Sequence, residues 1–354
     1  MMGQQNKKAG TGGNGIAAGS QSFVPERPVY VRQSACVAGT KESEGPLGEL
    51  IDMVGKDDLF GCKTWEEAES TLQKEAVTLA LGKAGMKAEE VRYLFAGDLL
   101  GQSTASSFGV ASFGIPHMGV YGACSTCGET LGLGAMAVSG GMAEDVICVT
   151  SSHFASAEKE FRYPLAYGNQ RPPSATWTVT GSAAFLLTSK VSKRNRAEIT
   201  GVTNGKIVDY GIKDSLNMGA CMAPAACDLI AANLRDFGRK PEDYDKIITG
   251  DLGLVGQRAL IDLLREKNID IEKRHVDCGI EIYDGNIQDV GSGGSGCGCS
   301  AVTLSAYILK MLEESVWKRV LFVPTGALLS KTSFNEGMTV PGIAHGIVLE
   351  SVAS

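Results

Sequence analysis

"GACSTCGETLGLGAMAVSGG" (122–141), followed by "DVICVTSS" (145–152), has a second version further along the chain. There the text reads "GSGCGCSAVTLSAYILKML" (294–312), then "RVLFVPTGALLS" (319–330). Each copy is a turn of small residues, an apolar run long enough for a helix, and a β-rich strand. Two further pairs keep the same order. "YLFAGDLLGQ" (93–102) returns as "IITGDLGLVGQ" (247–257), an apolar strand ending in Gly-Asp-Leu. "TVTGSAAFLLTS" (178–189) returns as "TVPGIAHGIVLES" (339–351). Three matched segments in one order predict a duplicated βαβ-type domain, with halves at 26–190 and 191–354.

The two apolar helices, about 125–140 and 299–313, carry few charges and lack a polar face, which predicts burial between two sheets. "WEEAESTLQKEAVTLALGKAG" (65–85) instead alternates charged and apolar residues at helical spacing, as an outer helix does. An α/β protein with two sheets, a central helix layer and two outer layers follows. Residues 1–25 are glycine-rich, polar and aperiodic, and are expected to form a disordered tail.

A net charge of −7 argues against a non-specific nucleic-acid or anionic-membrane binder. No segment approaches the ~18 apolar residues of a membrane span, and no secretory leader is apparent. The 10 cysteines sit largely in apolar or glycine-rich runs and are expected as free thiols of a reducing compartment. Cys297 and Cys299 form a Cys-x-Cys, but no further ligands at metal-site spacing accompany them. "GSGGSG" (291–296) lacks the Lys-Ser/Thr of a phosphate loop. No cofactor and no metal are expected.

The duplicated halves, the buried helix pair and the cysteine before the first buried helix resemble the thiolase and ketoacyl-synthase superfamily over residues 28–354. "SLNMGACMAPAACDLI" (215–230) looks like the thiolase Met-Gly-x-x-Pro helix start that faces the active site. That resemblance implies two mixed five-stranded sheets in an αβαβα arrangement. "GPLGEL", "LFAGDLLGQ", "GACSTCGETL", "TSSHFASAEKEFRYPLAYGNQRP", "MGACMAPAACD", "GGSGCGCSAV" and "PTGALLS" together resemble the stage V sporulation protein AD family. The family resemblance implies a component of the machinery that moves dipicolinic acid, with calcium, into the developing endospore. It also implies membrane-spanning stage V sporulation partners from the same operon and a peripheral place at the spore inner membrane.

The resemblance puts Cys124 at the acyl-accepting position of condensing enzymes. A helix start lowers a thiol's pKa, which suits a nucleophile; a small buried cysteine at a crowded junction is the structural alternative. Acyl transfer also needs His or Asn partners. Where synthases carry a catalytic His, this chain has Asp251, and the 291–300 turn has neither His nor Asn. An Asp donates a hydrogen bond only if its pKa is raised. His345, near the second catalytic loop of thiolases, and His153, at the start of the inserted loop, are the remaining candidates beside the pocket, or else satisfied structural histidines.

A flat dicarboxylate needs cations, open N–H groups and an apolar slot. The insert 151–178 offers Lys159, Arg162 and Arg171 among aromatic residues, and Lys206 is expected to reach the same cleft; each is otherwise a solvated surface charge. The leading expectation is a non-catalytic dipicolinate-binding protein. The alternatives are an acyl-CoA-dependent condensing or acyltransferase enzyme using Cys124, and an adaptor with a vestigial pocket. "FGIPHMGVYGAC" (113–124) is the expected edge of a homodimer.

Overall fold

Order begins earlier in the chain than its composition suggests. The computed structural model describes residues 16–161 and 171–352, and its first elements are strands β1 (Ile16–Ala18) and β2 (Ser22–Val24). The expected tail of 1–25 is thus corrected over its last ten residues. Side-chain anchors explain why: Ser22 Oγ bonds Thr203 Oγ1 (2.8 Å) and Asp236 Oδ2 (3.0 Å), and Gln21 N donates to the same carboxylate (3.1 Å). Glycine-rich composition hides such point contacts.

The first half contributes β3 (Tyr30–Ala38), β4 (Tyr93–Gly97), β5 (His117–Gly119), β6 (Asp145–Ser152) and β7 (Gly181–Thr188). Their order is β3-β7-β6-β4-β5, the first two junctions antiparallel and the last two parallel. The second half contributes β8 (Ala197–Thr203), β9 (Lys246–Thr249), β10 (His275–Asp277) and β11 (Arg319–Val323). A small antiparallel pair, β12 (Thr325–Ala327) and β13 (Gly342–Ala344), precedes β14 (Gly346–Glu350). The order β8-β14-β11-β9-β10 repeats the first half junction by junction. The two mixed five-stranded sheets touch edge to edge where Ala197 and Glu198 of β8 pair with Val31 and Tyr30 of β3.

Strand alternation divides the core into three layers. Helix α1 (Trp65–Ala84), capped by Thr64 and ended by left-handed Gly85, packs with α2 (Thr104–Val110) on Leu94 and Ala96 of β4. Phe95 between them points the other way, into the central layer. That layer holds α3 (Thr126–Ser139) with inward residues of both sheets, among them Cys148, Phe185, Ile248 and Phe322. After α4 (Phe154–Phe161), helices α5 (Met218–Asp236) and α6 (Gly253–Glu266) cover Ile247, Leu321 and Val323 on the outside of the second sheet.

The second central helix departs from expectation. It runs as α7 (Cys297–Thr303), a π-helical turn (Leu304–Ile308) and α8 (Leu309–Glu313). Ser305 Oγ bonds Ser34 Oγ of β3 (2.7 Å), and Arg196 Nη1 reaches the Ser305 carbonyl (3.3 Å). A π turn tends to mark such an inserted contact.

Candidate functional site

Residues Gly122 to Thr126 form a pinned turn. The Gly122 carbonyl accepts from Ser125 N (3.0 Å) and Ser125 Oγ (2.6 Å), while Thr126 Oγ1 donates to the Ala123 carbonyl (2.6 Å). Ala123 is held at φ 50°, a left-handed conformation that costs a non-glycine residue about 1 kcal/mol or more. The turn delivers Cys124 to the start of α3. Cys297, the first residue of α7, meets it there: Leu99, Cys124, Ala157 and Cys297 form one buried cluster, with Phe161 of α4 packed against it. The N-terminal ends of both central helices therefore converge on a single spot.

Asp251 sits beside Cys124, close enough for its carboxyl to act on the thiol. Its Oδ1 accepts from Thr325 Oγ1 (2.8 Å) and its Oδ2 from Gly296 N (2.9 Å). Burial is the main force raising its pKa, to about 7. Burial, and then the Asp251 charge, push the Cys124 thiol well above its ordinary range, against the pull of the helix end. The thiol is accordingly held as S–H. This pair donates and accepts hydrogen bonds; it does not form a thiolate and imidazole couple.

The other half supplies a matching acidic group. Asp98, the repeat partner of Asp251 in Gly-Asp-Leu, is buried and accepts from Leu100 N (2.8 Å), Ser106 N (2.7 Å) and Ser106 Oγ (2.6 Å). Gln73 Nε2 links Ser106 Oγ to Ser151 Oγ (2.9 Å each), and Ser151 Oγ donates to buried Glu69 (3.0 Å). Burial raises both carboxyls, and Asp98 adds its repulsion at Glu69. The repeated Gly-Asp-Leu was a usable signal for Asp98; Glu69 left none.

The candidates from the sequence divide. Cys124 and Asp251 come together. His345 is half-buried one turn along α3, where its Cβ lies 3.1 Å from the position of a Cβ on Gly128. Its Nδ1 faces Gly205 N at 3.5 Å, its Nε2 has no hydrogen-bond partner among the described residues, and burial lowers its pKa to about 4. His153 does not face the pocket: Nδ1 accepts from Ala155 N (3.1 Å), so Nε2 donates to the Asp58 carbonyl (2.7 Å). Lys159 points outward to Glu66 (2.7 Å) on α1. Arg171 is tied to buried Glu158 (2.9 Å) and lies over the Phe154 and Trp177 rings, so it serves the helix that lids the site. Lys206 is exposed, on the loop whose neighbouring amide faces His345. Arg162 lies outside the described residues. The Met218–Pro224 segment, with four residues between Gly219 and Pro224, lies at the start of α5, where Gly342 of β13 abuts the Cys221 carbonyl. Among the described residues no group of three or more His, Cys, Asp or Glu is placed to hold a metal ion.

Comparison with known proteins agrees with this architecture. A family model for stage V sporulation protein AD matches residues 19–350. The stage V sporulation protein AD of Bacillus subtilis (strain 168) is 43% identical over 332 residues, covering 94% of this chain and 97% of that relative. Among solved structures, the 3-oxoacyl-[acyl-carrier-protein] synthase III of Aquifex aeolicus VF5 is similar with a TM-score of 0.55 and 15% identity, over 91% of this chain and 99% of its own. Human mitochondrial 3-ketoacyl-CoA thiolase in complex with CoA is similar with a TM-score of 0.57 and 14% identity, over 93% and 99%. These two likenesses show the thiolase-like fold.

Proposed function

Given that the chain belongs to the stage V sporulation protein AD family, we propose that this sporulation protein binds dipicolinic acid at the Cys124 site without turning it over. In this reading it takes part in dipicolinate uptake into the developing endospore, beside membrane-spanning stage V partners at the spore inner membrane. The observation that carries the reading is Asp251 in place of an imidazole, beside a thiol that burial keeps protonated. Two helix N-termini aimed at one point favour an anion, and a protonated carboxyl beside them adds a donor for it. Among the described residues no helix is long and apolar enough to cross a membrane. A homodimer is part of the proposal. Edge strand β5 is exposed along its length, with Met118 on it and Tyr121 just after it open to solvent.

One observation favours acyl transfer as a second reading: the buried Nε2 of His345, which has no hydrogen-bond partner among the described residues. A thermal-melt titration separates the two, with dipicolinate as ligand and isophthalate and an acyl-CoA as comparisons. At one hundred times its Kd a ligand adds about 2.7 kcal/mol of stability. The expected result is a saturable shift with dipicolinate alone, largely retained in Cys124→Ala. A shift with acyl-CoA only, accompanied by an acyl mass on Cys124, overturns the binding reading in favour of the enzyme.

A further inference from the structure

We propose that Asp277 is the positioning residue of this site: it anchors the backbone immediately after Asp251 and so holds the Asp251 carboxylate against Cys124. Asp277 ends β10, in parallel register with Thr249 at the end of β9. Its buried carboxylate collects four donors. Oδ1 accepts from Gly253 N (3.0 Å) and Gly279 N (3.1 Å); Oδ2 accepts from Thr249 Oγ1 (2.6 Å) and Leu252 N (2.9 Å). Leu252 and Gly253 are the two residues that follow Asp251. Both amides stand at the start of α6, where they have no partner within the helix.

The turn has little freedom to reach this geometry another way. Gly253 is left-handed (φ 62°), and a Cβ there would lie 2.5 Å from the Ser292 carbonyl. A chain of side chains orients the carboxylate from behind. Gln257 Nε2 donates to His275 Nδ1 (3.0 Å), which leaves Nε2–H to bond Thr249 Oγ1 (2.9 Å) and the Thr249 proton to face Asp277. Burial keeps His275 neutral, as the chain requires. Asp277 also lies close enough to Asp251 for its charge to raise that carboxyl's pKa. The proposal takes the Cys124–Asp251 pair as the site but needs no particular ligand.

The test therefore reads the thiol. The titratable groups that act on Cys124 are Asp251 and Cys297; Cys124 in turn acts on Tyr121 and Cys299, and Asp277 acts on Asp251. The rate of Cys124 alkylation by iodoacetamide is measured against pH from the mass of its peptide. Asp251→Asn removes the charge that opposes the thiolate, and is expected to speed alkylation about three- to tenfold at fixed pH. Asp277→Asn should give the same displacement of the profile, and the double variant no more than either alone. Thr249→Val, which removes one bond to Asp277, should fall between, and Thr249→Ser should restore the original profile.

A folded Asp277→Asn protein with an unchanged Cys124 profile, or effects that add in the double variant, overturns the proposal. If Asp277→Asn does not fold, an unchanged profile in Thr249→Val overturns it equally. Loss of melting temperature alone is what a merely structural residue would give. Absence of a dipicolinate shift in the unaltered protein refutes the proposed ligand while leaving this result standing.

Discussion

A carboxyl group that titrates near neutrality gives the site a pH dependence whose sign can be worked out. Burial raises Asp251 to about 7. Below that value it is a neutral acid able to donate to a ligand carboxylate; above it, it is an anion facing a dianion. Dipicolinate affinity is therefore expected to hold steady below pH 7 and to fall by up to about tenfold per pH unit above it, as one proton must be taken up with the ligand. Calorimetric titration from pH 6 to 8.5 checks this, and Asp251→Asn should flatten the profile. The same raised pKa acts on the fold. The folded state keeps a proton that the unfolded chain gives up near 4, so this group's contribution is full below 4 and is lost as pH rises to about 7. At this scale the sequence was half legible. Cys124 and Asp251 could be named because motif and repeat both pointed at them. The fates of His153 and Lys159 could not, because each is decided by a partner far along the chain, the Asp58 carbonyl and Glu66; Arg171 instead turns back on Phe154, Glu158 and Trp177 of its own insert.

Secondary-structure elements were most legible where their pattern was local. Helix α1 begins after Thr64 and ends at Gly85, where the cap residues and the charge periodicity of 65–85 place it. The π turn in the second central helix and the β1–β2 hairpin were not legible, since both depend on long-range polar contacts. The hairpin supports a direct prediction. Asp236 accepts from Gln21 N and Ser22 Oγ and has a fully buried side chain. Asp236→Ala leaves those donors unsatisfied and is expected to cost about 1–3 kcal/mol in urea unfolding. It should also make the segment before residue 25 the first site of limited proteolysis; unchanged stability and cleavage would show that the hairpin is not anchored as described.

The whole molecule was the most readable scale, because duplication is visible in sequence and dictates the layers. Three ordered repeats predict the duplication and two charge-poor helices the layer between two sheets, and each repeated strand lies at the matching place in its sheet. Assembly belongs to this scale too. Met118 on edge strand β5 is expected to be covered in a dimer, so Met118→Asp should shift the light-scattering mass from dimer to monomer at micromolar concentration. A monomeric unaltered protein would remove the dimer from the proposal. The sheet order also bears on how the polypeptide acquires its shape. In each half the latest strand enters the middle: β7 lies between β3 and β6, and β14 between β8 and β11. The amino-terminal sheet is complete once residue 188 has left the ribosome, while its partner waits for residue 350 with two strand edges open. Over that interval of synthesis the nascent chain exposes unpaired edges and half of a shared core. The period of greatest aggregation risk therefore falls just before Gly346–Glu350 emerges, the segment that joins β8 to β11 and closes the second sheet.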